Sequence, residues 1–318
     1  MKPLACLSMD IDNQWSYMKT HGDSGWEKFP SYIDLIIPRV LSILDQLNIK
    51  VTFFVVGQDA ALDKNRDALK LLTERGHEVG NHSFHHEPWL NFYLRDRLRR
   101  EIIETEEQIL RVTGQKPIGF RGPGYAWSTD LIEILAENGY LYDSSILPTY
   151  VAPLARTYYF WKSNLTREEK AQRKKMFGSL KIAIRPVKPF LWHLDSNETL
   201  LEIPITTVPI IKMPFHLSYL LYFSRFSTPL MLLYLKIALT MCRITHSALN
   251  FLLHPLDFVS RDEIPELAFF PGMDLETSRK IELFKNVMGI LHERFEFVKM
   301  STFAKNKLNA NKTKILNL

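Results

Sequence analysis

Three histidines lie within five positions of the stretch GNHSFHHEPW, residues 80–89. His82 and His86 are four positions apart, so both rings project from one face if the turn after the preceding apolar run is helical. His85 then points elsewhere. Imidazole nitrogens are common ligands of divalent metal ions, so the spacing suggests a shared ion. Taken alone, the pair is better interpreted as structural or fortuitous.

A catalytic divalent ion usually has three protein ligands and keeps one position open for water, so another strand end must supply a third ligand. The stretch SMDID offers two candidates. Asp10 and Asp12 follow an apolar run with alternate spacing, and therefore lie on the same side of the strand that the run predicts. Acidic residues at one strand end and histidines at another predict a metal site of carboxylate and imidazole groups.

Two more stretches place polar residues directly after strand-like runs. FRGPGY presents Arg121 before a Gly-Pro-Gly turn that exposes backbone N–H groups. FLLHPLDF sets His254 between an apolar strand and a proline that ends it. Active sites of α/β barrels form at the carboxyl ends of the strands, where both residues would lie. Taken singly, the favoured interpretations are a surface ion-pair partner for Arg121 and a buried core histidine for His254.

The elements that must position these residues alternate between strand-like and helical patterns, which is typical of a parallel α/β fold. LACLSMDI and HEVGNH predict strands, and residues 94–112 predict a long charged helix with a solvated outer face. A helix over STDLIEILAENG has Ser128 or Thr129 in position to cap its start. The chain has 318 residues, enough for a large core, and α/β barrels of this size often form one domain.

The alternation breaks between about residues 150 and 200, where REEKAQRKK and RPVKP are basic and interrupted by proline. They predict an inserted surface segment whose charges are solvated. We therefore expect one catalytic domain over residues 1–300, with a divergent or inserted segment at about 150–247. Residues 301–318 are predicted to be a basic, frayed tail. The inserted segment is left open as a lid, a membrane contact or a dimer interface, and the oligomeric state is left open with it.

The composition is that of an ordinary globular protein, with 46% hydrophobic and 24% charged residues. The formal charge of +5 favours acidic partners only weakly, and no nucleic-acid motif accompanies it, so we expect no nucleic-acid partner. Cys6 and Cys242 can form neither a disulfide framework nor a cysteine zinc site. A reducing compartment is the simpler expectation.

The sequence predicts neither a signal peptide nor a transmembrane helix. The start, MKPLACLSMDID, brings aspartates before a signal-peptide core is complete. The longest apolar region, residues 213–242, is interrupted by charged residues and proline, so it lacks a run of about 18–20 apolar residues that could span a bilayer. We expect a cytoplasmic chain, either free or at the inner face of the membrane.

Part of this apolar region predicts a helix. Thr228 and Pro229 give an N-cap and first-turn signal, and the helix that follows is apolar except for a stripe of Lys236, Thr240 and Arg243. Burial in the core is the first interpretation of such a helix. The second is a hydrophobic wall beside the site or a peripheral membrane contact through residues 213–242.

In their order along the chain, SMDID, NHSFHHEPW, FRGPGY and LLHP resemble the motifs of the polysaccharide deacetylases, the NodB-homology or carbohydrate esterase family 4 enzymes. The resemblance covers about residues 4–145 and 248–300. It implies an α/β fold, a distorted (β/α) barrel of the NodB-homology type with fewer than eight complete units and here an inserted, partly helical segment. It also implies one divalent metal ion, Zn²⁺ first, with Co²⁺ or Ni²⁺ as alternatives. The implied reaction is hydrolytic removal of an N-acyl or O-acyl group from a sugar, and we expect removal of an N-acyl group, acetyl or formyl, from an amino sugar.

Carried over by position, the resemblance implies that Asp12, His82 and His86 hold the metal ion. Asp10 would be the general base that takes a proton from the attacking water, and His254 the general acid that protonates the leaving amine.

Four further residues follow from the same resemblance. Arg121 would orient the catalytic aspartate, and the backbone N–H of Gly124 would stabilise the oxyanion. Gly124 replaces an aromatic residue common in the family, and Tyr125 stands one place on, which would open the site and alter substrate preference. Asp143, in YDSS, would either bind substrate or cap a turn.

The sequence departs from the family pattern in its first motif, where Ile11 separates two aspartates that are usually adjacent. In a second alignment Asp12 is the base and Asn13 occupies an altered metal position, so the division of roles stays open. We do not find the Asp-Trp motif that in the family usually supports the general-acid histidine.

The predicted substrate is an amino sugar in a glycan precursor, a polysaccharide or a glycolipid, and the apolar region beside the last catalytic strand suits a lipid-linked sugar. Two other classes stay open. One is a metal-independent amidohydrolase acting on a small cyclic amide or ureide, which the retained metal ligands disfavour. The other is a non-catalytic sugar-binding protein, which the complete set of base, acid and ligands disfavours.

Overall fold

One mixed sheet organises the chain. The computed structural model describes residues 2–151, 184–310 and 313–318. Within these ranges ten strands share the sheet. The strands are β1 (Leu4–Ile11), β2 (Thr52–Val55), β3 (Glu78–Asn81), β4 (Gly119–Phe120), β5 (Tyr142–Asp143), β6 (Phe190–His193), β7 (Thr199–Glu202), β8 (Leu249–Leu253), β9 (Glu296–Val298) and β10 (Lys314–Asn317).

The order across the sheet is β10-β6-β7-β5-β4-β3-β2-β1-β8, with β9 paired to the first residues of β1. Every neighbouring pair is parallel except β6 and β7, which are antiparallel. Parallel neighbours need crossover connections, and helices supply them. The predicted α/β class with a parallel sheet is confirmed.

A backbone contact closes most of this sheet into a barrel. The chain after β7 lies beside β8, where the Thr206 N–H donates to the Asn250 carbonyl oxygen at 3.1 Å. The Asn250 N–H in turn donates to Thr206 Oγ1 at 2.7 Å. The Asn250 side chain also donates to the Ile203 carbonyl oxygen at 3.3 Å. Strands β1 to β5, β7 and β8 therefore form a distorted barrel, and β6 and β10 continue the sheet outside it.

Helices form where apolar residues recur at helical spacing. On the second helix, for example, residues from Ile33 to Leu44 bury one apolar stripe against the sheet. The helices of the described ranges are α1 (Gln14–His21), α2 (Ile33–Gln46), α3 (Gly57–Ala61), α4 (Arg66–Glu74), α5 (Arg95–Thr113), α6 (Thr129–Glu137), α7 (Leu217–Ser224), α8 (Thr228–Ile244), α9 (Thr277–Arg294) and α10 (Met300–Asn309).

Two helix starts test the predicted caps. Helix α6 is capped by Ser128, whose hydroxyl accepts the Leu131 N–H at 3.2 Å, so Ser128 rather than Thr129 is the N-cap. Helix α8 is capped by Ser227, and the prediction of Thr228 is wrong by one residue. The extended backbone of Ser227 lets its hydroxyl reach a free N–H of the first turn, which Thr228 inside the helix does not do.

The described residues at the basic end of the chain form a helix and a strand, and for them the prediction of a frayed tail is wrong. Residues 300–309 form α10, on which Met300, Phe303 and Ala304 are buried against Cys6. Strand β10 then pairs with β6. The spacing of those apolar residues, at positions three and four apart, is the signal of an amphipathic helix.

The inserted segment predicted at about 150–247 is described only in part. Residues 152–183, which include REEKAQRKK, lie outside the described residues. The remainder contains β6, β7, α7 and α8. None of the helices in the described ranges combines the length and apolar character needed to cross a membrane.

Candidate active site

The sequence motifs meet at one edge of the barrel. Asp10 lies near the end of β1, His82 directly follows β3, Arg121 directly follows β4 and His254 directly follows β8. Because the carboxyl ends of parallel strands point to the same edge, these side chains converge. They surround a cleft of about 270 Å³, which Asp10, Asp12, His82, Gly124, Tyr125 and His254 line together with other residues.

Asp12, His82 and His86 form a compact group. One ligand atom from each lies within 4.8 Å of the others, and all three residues are buried. Asp12 Oδ1 is 3.2 Å from His82 Nε2 and 2.9 Å from His86 Nε2. His82 Nδ1 is 2.6 Å from the Arg121 carbonyl oxygen, which can only accept, so Nδ1 carries the proton. In neutral His82 the Nε2 lone pair therefore faces a carboxylate oxygen.

This arrangement fits a divalent metal ion. Two acceptors that face each other repel unless a proton or a cation lies between them. Two imidazole nitrogens and a carboxylate are also a donor set found in catalytic zinc sites, with a position left for water. A metal-binding histidine usually donates its other ring N–H to an oxygen atom, which fixes the orientation of the ring. The hydrogen bond from His82 Nδ1 to the Arg121 carbonyl oxygen is of this kind.

The loop that carries the histidines is not helical, so helical geometry is not what brings His82 and His86 together. Ser83 and His86 have positive φ angles of 59° and 51°, which turn the chain sharply. Glu101 of α5 holds the turn. Its carboxylate accepts hydrogen bonds from the backbone N–H groups of Phe84 and His85 at 2.9 and 3.0 Å. It also lies 2.7 Å from Nδ1 of the His85 ring. His85 therefore points away from the group, as predicted. Glu101 is buried, so the outer face predicted for this charged helix is not wholly solvated.

The electrostatics of the group favour ionised Asp12. Burial opposes ionisation of its carboxyl, yet His86 and His82 hold the pKa of Asp12 well below its ordinary value. Burial likewise lowers the pKa of His82, but Asp10 and Asp12 outweigh it and raise that pKa. Two tyrosines that the sequence did not single out support Asp12. Tyr17 donates to Asp12 Oδ2 at 3.0 Å, and the Tyr32 hydroxyl donates to the Asp12 carbonyl oxygen.

Asn13 lies outside the group. Its side-chain oxygen accepts the N–H groups of Gln14 and Tyr32, and its amide donates to Ser31 and Asp59. It caps α1 and is fully buried. This placement does not support the alignment that puts Asn13 at the metal position.

Arg121 and Asp10 form a second, adjoining group. Arg121 Nη1 is 2.6 Å from Asp10 Oδ1, and Arg121 is fully buried. Its other nitrogens donate to the Ser8 hydroxyl at 3.0 Å and to the hydroxyl and carbonyl oxygens of Ser144 at 2.9 and 3.2 Å. The interpretation of Arg121 as a surface ion-pair partner is therefore wrong.

His254 faces Asp10 across the cleft, with Nε2 4.0 Å from Asp10 Oδ2. Its side chain is partly exposed and lines the cleft, so it is not a core histidine. His254 Nδ1 is 3.2 Å from the Ser218 hydroxyl. The backbone N–H of His254 donates to Asp257 Oδ2 at 2.8 Å. Neither Ser218 nor Asp257 was predicted. Burial raises the pKa of Asp257, although His254 beside it acts in the opposite sense.

Gly124 and Tyr125 also line the cleft, and both have positive φ angles, 58° and 62°. Asp143 does not reach the cleft. It is fully buried at the end of β5, where the Ser145 hydroxyl donates to it at 2.6 Å and the N–H groups of Ser144 and Ser145 donate to it as well. These contacts are those of a turn cap, not of a substrate ligand.

Comparisons with known proteins agree with this architecture. Residues 23–142 match the family model described as polysaccharide deacetylase. The peptidoglycan-N-acetylglucosamine deacetylase of Bacillus cereus is 38% identical over 86 residues, which is 27% of this chain and 30% of that relative. The peptidoglycan deacetylase of Helicobacter pylori is 25% identical over 201 residues, 60% of this chain and 66% of that relative. The chain thus spans less than two thirds of the length of these curated relatives.

A solved structure shares the fold. The crystal structure of a polysaccharide deacetylase candidate from Mycobacterium smegmatis superposes with a TM-score of 0.64 at 19% identity, covering 100% of this chain and 94% of that one. The fold and the cleft define an α/β barrel with carboxylate and imidazole groups at its carboxyl edge. Residues 23–142 are thus similar to the polysaccharide deacetylases, the NodB-homology family whose motifs the sequence resembles.

Proposed function

We propose that the chain is a metal-dependent hydrolase that removes an N-acyl group, acetyl or formyl, from an amino sugar. The observation that carries the proposal is the placement of Asp12 Oδ1 within 3.2 Å of two imidazole Nε2 atoms, on the edge of a cleft that also holds an aspartate and a histidine. The names of the relatives, which are peptidoglycan deacetylases, support the reaction class.

Asp12, His82 and His86 would hold the ion, Zn²⁺ in the first place and Co²⁺ or Ni²⁺ as alternatives. The chemistry that such an ion supplies when bound is polarisation of the acyl carbonyl group and activation of a water molecule. Asp12 is suited to the role because its Oδ1 lies beside the Nε2 atoms of both histidines.

Asp10 and His254 would move the protons. Asp10, held by Arg121, takes a proton from the attacking water, and the water oxygen forms a bond to the acyl carbon. The carbon–nitrogen bond then breaks, and His254 Nε2 gives a proton to the departing amine. The products are the free amino sugar and a carboxylate. The N–H of Gly124, which lines the cleft, is the donor we propose for the oxyanion, and Tyr125 beside it would contact substrate.

The substrate is a carbohydrate of limited size at the cleft. A volume of about 270 Å³ lies just below the usual range for ligand pockets, roughly 300–1,000 Å³, and suits one acylated sugar ring. A lipid-linked sugar or glycan precursor meets this condition. A cytoplasmic location at the inner face of the membrane is consistent with such a substrate and is part of the proposal.

Metal content of the purified protein tests the proposal, with His85→Ala as the control for His82→Ala and His86→Ala. We expect about one ion per chain in the wild type and in His85→Ala, and loss of the ion in the other two variants. Release of acetate or formate from N-acylated amino sugars should follow metal content. Absence of metal after incubation with excess Zn²⁺ at neutral pH would instead favour a metal-independent amidohydrolase or a sugar-binding protein.

A further inference from the structure

Helix α8 is apolar on both of its sides, and one side is exposed. The buried side packs into the core through Met231, Leu235, Ala238, Leu239 and Cys242. The opposite side exposes Leu230, Leu233, Ile237 and Ile244, with exposed fractions of 66%, 53%, 51% and 68%. These residues recur at intervals of three, four and seven, so they form one stripe along the helix. We refer to these four residues as the α8 stripe.

The stripe continues toward the cleft. Phe226, which is 75% exposed, lies between α7 and α8, and its ring packs against that of the partly exposed Tyr222 at 5.7 Å between centroids. Tyr222 belongs to α7, and Ser218 and Leu221 of the same helix line the cleft. The exposed apolar surface therefore extends from α8 to the helix that contributes Ser218 and Leu221 to the cleft.

Cations border the stripe. Lys236 and Arg243 are exposed and stand seven positions apart, which places both along the same side of the stripe. Helix α8 contains no aspartate or glutamate that could neutralise them. Arg225, next to Phe226, forms an ion pair with Asp274 at 2.8 Å, so it contributes less positive charge to this surface than Lys236 or Arg243.

We propose that the α8 stripe docks the protein on the surface of a bilayer that contains anionic lipids. An amphipathic helix that lies in the interface buries its apolar residues below the headgroups, while lysine and arginine at its edge contact anionic headgroups. Long basic side chains can lie along apolar surface and still reach the charged layer. No helix of the described ranges can cross a bilayer, so the contact is with the surface.

A second copy of the chain is a weaker occupant of this face. In a two-fold contact the same surface patch of both copies is used, so Lys236 and Arg243 of both copies would gather four cations at the border of one contact. Helix α8 offers no acidic residue to pair with them. An anionic bilayer matches both the apolar stripe and the charge of its border.

The consequence of this docking for catalysis rests on the proposed function. A bilayer against the α8 stripe would bring α7, and with it the mouth of the cleft, close to the headgroup layer. The sugar of a lipid-linked substrate would then reach the cleft while its lipid stays in the bilayer. The docking itself needs no catalysis and is tested without substrate.

Sedimentation of the full chain with vesicles tests the docking. The vesicles are phosphatidylcholine alone or phosphatidylcholine with about 30% phosphatidylglycerol. We expect the wild type to bind the anionic vesicles more tightly, and the double variant Leu233→Glu with Ile237→Glu to bind them at least about tenfold more weakly. Leu110→Glu is the matched control, because Leu110 is an exposed leucine of α5 at 45% exposure, and its binding should equal that of the wild type.

A charge variant separates the two contributions. Lys236→Ala with Arg243→Ala should lower the preference for anionic vesicles several-fold and leave weak binding to neutral vesicles unchanged. Circular dichroism and hydrolysis of a soluble N-acylated amino sugar serve as checks of folding that do not depend on the bilayer. Binding that is equal for the wild type and the Leu233→Glu/Ile237→Glu variant would overturn the proposal. So would a wild-type dimer in solution that the same variant converts to a monomer, because a second copy would then cover the stripe.

Discussion

Arg121 and Asp10 form an ion pair that is buried on both sides, with Nη1 2.6 Å from Oδ1 and residue exposures of 0% and 4%. The pair joins the ends of β1 and β4, and the remaining Arg121 donors are used by Ser8 and Ser144. A buried charge is tolerated when it is paired and hydrogen-bonded, as it is here. The pair therefore fixes the carboxylate that we propose as the general base.

Removal of Arg121 should be costly because it leaves Asp10 buried without a partner. We expect Arg121→Met to lower the free energy of unfolding by about 3–5 kcal/mol, measured by urea denaturation. Arg95→Met is the control, since Arg95 pairs with Glu133 and Glu137 at the surface and should contribute less than about 1 kcal/mol. Equal losses in the two variants would show that the buried pair has no special importance.

The two aspartates of SMDID should separate in their effects. Asp10→Asn should retain the metal ion and lower kcat by about 10²–10⁴-fold, which is the usual contribution of a general base. Asp12→Asn should lower the metal content itself, because Asp12 Oδ1 lies against both histidine Nε2 atoms. Elemental analysis beside an acetate-release assay distinguishes the variants. Retention of metal in Asp12→Asn would favour the alternative in which Asp12 is the base.

The positions of the motif residues were predictable from sequence for a simple reason. Each follows a short apolar run, the runs form parallel strands, and parallel strands end at one edge. Asp10, His82, Arg121 and His254 therefore had to converge once the strands were recognised. The spacing of His82 and His86 was a weaker guide, because the turn between them is held by Glu101 and not by helical geometry.

Residues that depend on packing between distant elements could not be found in this way. Ser218 reaches His254 only because α7 packs beside the end of β8, and 36 positions separate the two in the chain. Glu101 looked like one charge among many on a surface helix. Only the fold shows that its carboxylate accepts two backbone N–H groups of a loop 16 to 17 positions away. No local pattern carries that information.

Ser218 should orient His254. The Ser218 hydroxyl is 3.2 Å from His254 Nδ1, and its loss would free the ring to turn. We expect Ser218→Ala to lower kcat by about fivefold with little change in KM, since one hydrogen bond is worth roughly 1 kcal/mol. Ser224→Ala on the same helix is the control, because the Ser224 hydroxyl bonds only to the Leu221 carbonyl oxygen among the described contacts. An equal loss of kcat in Ser224→Ala would indicate that the substitutions damage α7 instead.

Gly122 should not tolerate a side chain. A Cβ atom at this position would lie 2.0 Å from the carbonyl oxygen of Ala126, which is backbone and cannot rotate away. The turn from Gly122 to Ala126 carries Gly124 and Tyr125, so its displacement would move the wall of the cleft. We expect Gly122→Ala to cost about 1–3 kcal/mol of stability and most of the activity.

Gly139→Ala is the matched control for that variant. Gly139 has a φ of +74° but open space around a built Cβ, so the substitution should cost roughly 1–2 kcal/mol of backbone strain and leave activity intact. Activity is measured well below the unfolding temperature of both variants. Full activity in Gly122→Ala would show that the turn can move without consequence for the cleft.

Asp59 should make stability depend on pH. The side chain is fully buried, and its Oδ1 accepts from Asn13, Trp15 and Asn65. Burial raises the pKa of Asp59 to about 7. Between about pH 4 and 7 the folded state keeps a proton that the unfolded state, with an ordinary pKa near 3.9, has released. The folded state then binds more protons, so the free energy of unfolding falls as the pH rises through this window.

The size of this effect follows from the pKa difference. Roughly three units at about 1.4 kcal/mol each give a loss of about 4 kcal/mol by pH 7. Asp59→Asn keeps the accepting oxygen and cannot ionise, so its stability should lose this dependence and exceed that of the wild type increasingly above about pH 5. Urea denaturation at several pH values measures the difference. Asp63→Asn, whose side chain is 86% exposed in the wild type, should follow the wild-type curve. Parallel curves for wild type and Asp59→Asn would mean that Asp59 is ionised in the folded protein at ordinary pH, despite its burial.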